Sequence, residues 1–116
     1  MYKLQKTYSF SSAHHLKDTK SLVSKKCLKN HGHEWHIKVE IITKELVDDM
    51  VVDFGRIKDI INLLDHKDLN EVLTFNPTAE NIAGFLHATI GTHIEVKHKL
   101  KVTVEESPGA KVTYWE

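Results

Sequence analysis

The chain has 116 residues with 16 Lys+Arg against 16 Asp+Glu, so no global charge draws it to nucleic acid or a membrane surface. That length is expected to make one domain, 1–116, able to bury a core without crosslinks, and a single cysteine excludes an intrachain disulfide. The opening "MYKLQKTYSF" lacks a signal peptide's apolar run, and no stretch approaches the roughly 20 apolar residues of a membrane span; the expectation is a cytoplasmic protein.

Tyr2 to His14 alternates, with Tyr2, Leu4, Tyr8 and Phe10 sharing one parity, interrupted by Lys6, and reads as a half-buried strand. A lysine-rich loop follows from about Leu16 to Asn30. Its Lys17, Lys20, Lys25, Lys26 and Lys29 have only Asp18 to offset them. The second strand spans His33 to Lys44, with Trp35, Ile37, Val39 and Ile41 on one face. After "DDMVVDF" the period changes: Phe54, Ile57, Ile60, Ile61 and Leu64 predict a helix over 54–65, capped by Asp53. "TFNPTAEN" turns into a second helix, with Asn76 or Thr78 as cap, Pro77 in its first turn, and Ile82, Phe85, Leu86 and Ile90 as the apolar stripe. A third strand spans Ile94 to Glu106, "SPGA" turns the chain, and Lys111 to Trp115 forms a fourth. The order ββααββ predicts an α+β protein with an antiparallel four-stranded sheet covered by two helices. Its two long open edges invite pairing with further copies.

Strand parity also points to a site. Nine histidines are many for this length. Continued past Phe10 and Ser12, the apolar face of the first strand reaches His14. Traced back from Trp35, that of the second reaches His33 and His31. Beyond Val104, that of the third reaches Glu106. Polar groups aimed at a buried face need partners, because an unpaired one costs about 1–3 kcal/mol. Antiparallel order brings His14 to the same end as His31 and His33. Three imidazoles with an open fourth position make a catalytic type of zinc site. A bare His-x-His is often only a pair of surface or core-edge histidines, and the third histidine on a matching face is what favours the metal.

Cys27 has three readings that the sequence leaves open. It is a small buried hydrophobe, a thiolate base favoured by the lysines around it, or a fourth zinc ligand that closes the site. Asp65 and His66 in "LLDHKDLN" make either a turn pair at a helix end or a carboxylate that orients an imidazole for proton transfer. Capping explains Thr78 and Glu80 in "PTAEN". The lysine run is a solvated loop that would also suit a phosphorylated substrate.

Six fragments, "FSSAHHL" (10–16), "CLKNHGH" (27–33), "VVDF" (51–54), "LDHKDLN" (64–70), "NPTAEN" (76–81) and "VTVEES" (102–107), together resemble the 6-pyruvoyl tetrahydropterin synthase / 6-carboxytetrahydropterin synthase family in order and spacing. The resemblance implies the tunnelling fold (T-fold), with trimeric barrels stacked into a homo-hexamer and active sites at subunit interfaces. It implies zinc on His14, His31 and His33, one ion per subunit, and Cys27 as catalytic acid/base with Asp65 and His66 as a relay pair. It implies a pterin triphosphate substrate, anchored by Glu106, with Thr78 and Glu80 near the pterin. The three residues between Cys27 and His31 resemble the 6-carboxytetrahydropterin synthases of the queuosine pathway; the biopterin-forming enzymes are the alternative. Leu28, Lys29 and Asn30 disfavour the relatives that cleave the side chain to a hydroxymethylpterin, which carry a Glu near the cysteine. A non-enzymatic zinc- or pterin-binding oligomer is the reading from another class.

Overall fold

The computed structural model describes residues 1–17 and 23–116. Lys20 and Asp18 of the lysine-rich segment lie outside the described residues. The elements are β1 (Tyr2–His14), β2 (His31–Thr43), α1 (Phe54–Asn62), α2 (Leu69–Val72), α3 (Ala79–Gly91), β3 (His98–Ser107) and β4 (Ala110–Trp115). The sheet is antiparallel in the order β1-β2-β3-β4, so β1 and β4 form its edges.

The period-two pattern sets which face is buried. Phe10, Trp35, Ile37, Val39, Ile41, Leu100, Val102 and Val104 pack on one side of the sheet against Ile57, Ile61, Ile82, Leu86 and Ile90 of the helices. Lys6, which breaks the parity of β1, passes over this side at one end, its Nζ 5.6 Å from the centre of the Phe54 ring.

The boundaries depart from the sequence expectation where partners decide them. β2 begins at His31, because His31 pairs with His14 and Gly32 with Ala13 in the ladder. β3 begins at His98, although Ile94 and Val96 are buried, because its partner β2 ends at Thr43. Beyond that point side chains replace the ladder: Thr43 Oγ1 donates to the Lys97 carbonyl (2.7 Å), and Glu45 Oε2 accepts from the Lys97 amide (3.1 Å).

Asp53 caps α1 as expected, accepting from Gly55 N at 2.9 Å. α1 ends at Asn62 and not at residue 65: the amides of Leu63, Leu64 and Asp65 bond three residues back, and His66 takes the left-handed conformation (φ 54). That reversal sends residues 64–68 along the outer edge of β1. The single turn α2 is an element the periodicity did not show, being too short to have a period. Thr78, not Asn76, caps α3, accepting from Asn81 N at 3.1 Å. Pro77 stands before the cap and not in the first turn, which leaves its carbonyl free to point back at the sheet. At the β3–β4 turn Gly109 sits at φ 84, where a side chain would be strained.

Candidate metal centre and active site

The ladder pairs that join His14 to His31 and Ser12 to His33 gather three imidazoles edge to face at one end of the buried face. Ring centroids lie 4.6 Å apart for His14–His31, 5.1 Å for His14–His33 and 4.7 Å for His31–His33. Trp35 closes the inner side, edge-on to His14 at 4.9 Å, with its indole N–H held by the Ser12 carbonyl at 3.1 Å. A register shift between Glu105 and Ser107 leaves Glu106 without a partner in the β3–β4 ladder, which resumes at Ser107 and Ala110. One ligand atom from each of His14, His31, His33 and Glu106 falls within 4.8 Å of the others. Three strands that parity alone aimed at one place do meet there.

Hydrogen bonds from outside the cluster orient two of the rings. The Pro77 carbonyl lies 2.8 Å from Nδ1 of His14, and the Lys29 carbonyl 2.7 Å from Nδ1 of His31. A carbonyl only accepts, so each Nδ1 carries the proton and each Nε2 is left with a free lone pair, the tautomer a metal needs. The Nε2 atoms of His14 and His33 are buried and make no hydrogen bond. Glu106 Oε1 stands 2.9 Å from His33 Nε2 and 3.4 Å from His14 Nε2, close enough for an ion pair but without hydrogen-bond geometry. The Nε2 lone pair of His14, facing a Glu106 oxygen at 3.4 Å, is repulsive unless a positive charge lies between them. The residues present therefore fit a divalent cation.

Burial, foremost, lowers the proton affinity of both His14 and His33, against the pull of Glu106 and, for His14, of the Pro77 carbonyl. Neutral imidazoles at pH 7 are what ligation requires. The direction also fixes a stability effect. A folded-state pKa below the unfolded value means that the unfolded chain binds more protons once the pH drops beneath the ordinary histidine value of about 6.5. We expect the metal-free protein to hold its stability above that pH and lose it progressively below, which urea unfolding between pH 7.5 and 5.5 checks. A flat profile would mean that these rings titrate alike in both states.

The other candidate residues lie around this centre. Cys27 is half-buried in a 3-10 turn (Lys25–Leu28), its sulfur accepting from Ser24 Oγ at 3.1 Å and its carbonyl accepting from Leu16 N at 2.7 Å. It is not among the clustered ligand atoms. Asp65 and His66 form a pair with Oδ2–Nδ1 of 2.9 Å on the outer edge of β1. The Ser11 amide, donating to Asp65 Oδ1 at 2.9 Å, holds that carboxyl below its ordinary range, with help from His66. His66 bonds back through its amide to the Ser11 carbonyl at 2.7 Å and leaves its ring exposed. Thr78 is engaged as a cap, and Glu80 is exposed in the first turn of α3.

Sequence reasoning missed the groups that hold this arrangement. Ser12 Oγ donates to the Leu64 carbonyl and accepts from Lys67 N, tying 64–67 to β1. The Pro77 and Lys29 carbonyls orient His14 and His31, and the side chains of Asn70 and Asn76 grip the backbone of His15 and Lys17. Apart from the Lys29 contact, these span 50 and more residues and leave no periodic signal. Asn70 left no trace beyond its place in "LDHKDLN", and Asn76 was singled out only as a candidate helix cap.

A four-stranded antiparallel sheet with helices on one face and a histidine-rich metal-type centre at one end is the architecture of a T-fold enzyme. The chain belongs to the 6-pyruvoyl tetrahydropterin synthase family, whose model matches residues 3–116. A protein of Archaeoglobus fulgidus with the provisional name 6-carboxy-5,6,7,8-tetrahydropterin synthase is 42% identical over 78 residues, which is 64% of this chain and 63% of that relative's length. The structure of Caenorhabditis elegans 6-pyruvoyl tetrahydropterin synthase superposes with a TM-score of 0.74 at 26% identity, covering 99% of this chain and 95% of that one. The Plasmodium vivax 6-pyruvoyl tetrahydropterin synthase shares the fold, with a TM-score of 0.68 at 15% identity over 100% of this chain and 99% of that one. No helix among the described residues is long and apolar enough to cross a membrane.

Proposed function

We propose that this protein is a cytoplasmic, zinc-dependent lyase that converts 7,8-dihydroneopterin triphosphate to 6-carboxy-5,6,7,8-tetrahydropterin, releasing acetaldehyde and triphosphate on the route to queuosine and related 7-deazapurines. The observation that carries the reading is the pair of buried, unpartnered Nε2 atoms facing Glu106. The carboxy branch is supported by the Archaeoglobus relative and by the three residues that separate Cys27 from His31.

His14, His31 and His33 would hold the ion through Nε2. Zinc, when bound, supplies Lewis-acid polarisation of the substrate's side-chain oxygens. The Cys27 thiolate moves protons along that side chain, and the Asp65–His66 pair relays them. Glu106 turns toward the pterin and accepts its 2-amino and ring N–H groups; a side chain 29% exposed at the rim has room to do so. Thr78 and Glu80 line the pterin's surroundings, and the lysines near Cys27 attract the triphosphate.

The exposed His66 ring, beside a half-buried Asp65, suits a pair that serves a neighbouring subunit. It supports sites completed at interfaces of a homo-hexamer, formed where the free stretches of the β1 and β4 edges continue the sheet.

Mass spectrometry of the products formed by the zinc-loaded protein tests the activity. A carboxytetrahydropterin with acetaldehyde is expected. A pyruvoyl product without acetaldehyde would place the chain in the biopterin branch, and no turnover would leave a binding oligomer. Glu106→Gln separates the two possible uses of that carboxylate. We expect pterin affinity to fall about 10- to 100-fold, as losing a charged hydrogen bond predicts, with zinc content unchanged. Loss of zinc from that variant would make Glu106 a metal ligand instead.

A further inference from the structure

The turn that carries Cys27 contains no buried residue, so apolar packing does not fix the thiol. Besides the short segment 29–30 that leads into β2, its link to the body of the protein among the described residues is the hydrogen bond from Leu16 N to the Cys27 carbonyl at 2.7 Å. Leu16 lies beyond the end of β1, where no neighbouring strand holds the chain straight. Two asparagine side chains take the place of a strand. Asn70 accepts from His15 N at 2.8 Å and donates to the His15 carbonyl at 3.0 Å. Asn76 accepts from Lys17 N at 2.9 Å, and its Nδ2 lies 3.5 Å from the Lys17 carbonyl.

A carboxamide offers one acceptor and one donor side by side, as a partner strand does. With residues 15 and 17 gripped on one side, period-two alternation turns the Leu16 amide to the other, where Cys27 lies. The asparagines are themselves fixed. Asp68 Oδ1 accepts from Asn70 N at 3.1 Å, and Asn81 Nδ2 donates to the Asn76 carbonyl at 3.0 Å.

We infer that Asn70 and Asn76 are positioning residues for the Cys27 thiol, acting through the backbone of residues 15–17. The inference rests on the proton-transfer role proposed above for Cys27. It predicts a loss of orientation at the thiol while the metal centre and substrate binding stay intact.

The test compares zinc-loaded Asn70→Ala, Asn76→Ala and Asn76→Asp proteins with the parent. Because the chain has one cysteine, the rate of alkylation by iodoacetamide reads Cys27 alone. Both alanine variants are expected to alkylate several-fold faster. Their kcat for 7,8-dihydroneopterin triphosphate should fall about tenfold, with KM within about twofold and zinc content unchanged, since modest misplacement of a reacting group costs this much. Asn76→Asp should restore most of both rates, because a carboxylate still accepts from Lys17 N at the 2.9 Å contact, and the repulsion its second oxygen meets from the Lys17 carbonyl acts at the longer 3.5 Å. Parental rates in the alanine variants, an Asn76→Asp protein as impaired as Asn76→Ala, or zinc lost in step with kcat would each overturn the inference. Unchanged turnover in Cys27→Ala would instead refute the role of the thiol, while alkylation would still report whether the asparagines hold it.

Discussion

A His14→Ala protein is expected to bind zinc at least about a hundredfold more weakly and to lose turnover in proportion. Removing mere supporting groups around a metal already costs about 10- to 100-fold, and His14 is proposed as a ligand itself. It is fully buried, it pairs in the ladder with His31, and its proton is fixed by the Pro77 carbonyl. Truncation leaves a cavity beside Trp35 and strands that carbonyl, each a destabilising change of about 1–3 kcal/mol. It also removes one orphaned nitrogen and relieves the repulsion from Glu106, which offsets part of the loss. The difference from the parent should therefore be modest without metal and larger with it, because only the parent gains the binding energy of the ion. Urea unfolding with and without zinc reads this directly. A variant destabilised equally in both conditions would make His14 a core residue and nothing more.

Cys27→Ala is expected to do the opposite. The sulfur lies outside the cluster of ligand atoms, so zinc content should match the parent, while kcat falls about 10²- to 10⁴-fold as a general acid/base is lost. Cys27→Ser would recover little, since a hydroxyl is not ionised near neutral pH. Zinc lost together with activity would support a closed, four-ligand structural site in place of a catalytic one. The two variants thus divide the proposed chemistry between a loop and a sheet: one loses the metal, the other the proton carrier.

Most of this centre was legible in the sequence because strand parity is a rigid rule. Successive side chains alternate, so His14, His33 and Glu106 could be assigned to the buried face from the apolar residues that precede or follow them. Registers that pair His14 with His31 and Ser12 with His33 then bring the three imidazoles together, and Glu106 joins them from the register shift in β3. The helices were visible for the same reason, with Asp53 and Thr78 capping as their side-chain chemistry predicts.

What escaped lies where backbone groups meet side chains distant in the chain. Pro77 was expected inside a helix for its fixed φ, yet it stands before the cap with its carbonyl on His14. His66 reverses the chain in a left-handed conformation that no glycine announces. Asn70 and Asn76 act as surrogate strand, a role that depends on where His15 and Lys17 arrive and not on any local pattern. Ile94 and Val96 alternate as a strand does, but β2 has already ended and no ladder forms.

The most direct measurement is to strip the purified protein of metal and titrate zinc back while following turnover of 7,8-dihydroneopterin triphosphate. Activity absent from the stripped protein and rising linearly to a break at one zinc per chain is the expected result. Full activity in the stripped protein, or zinc bound at that stoichiometry without any turnover, would contradict a zinc enzyme built on His14, His31 and His33.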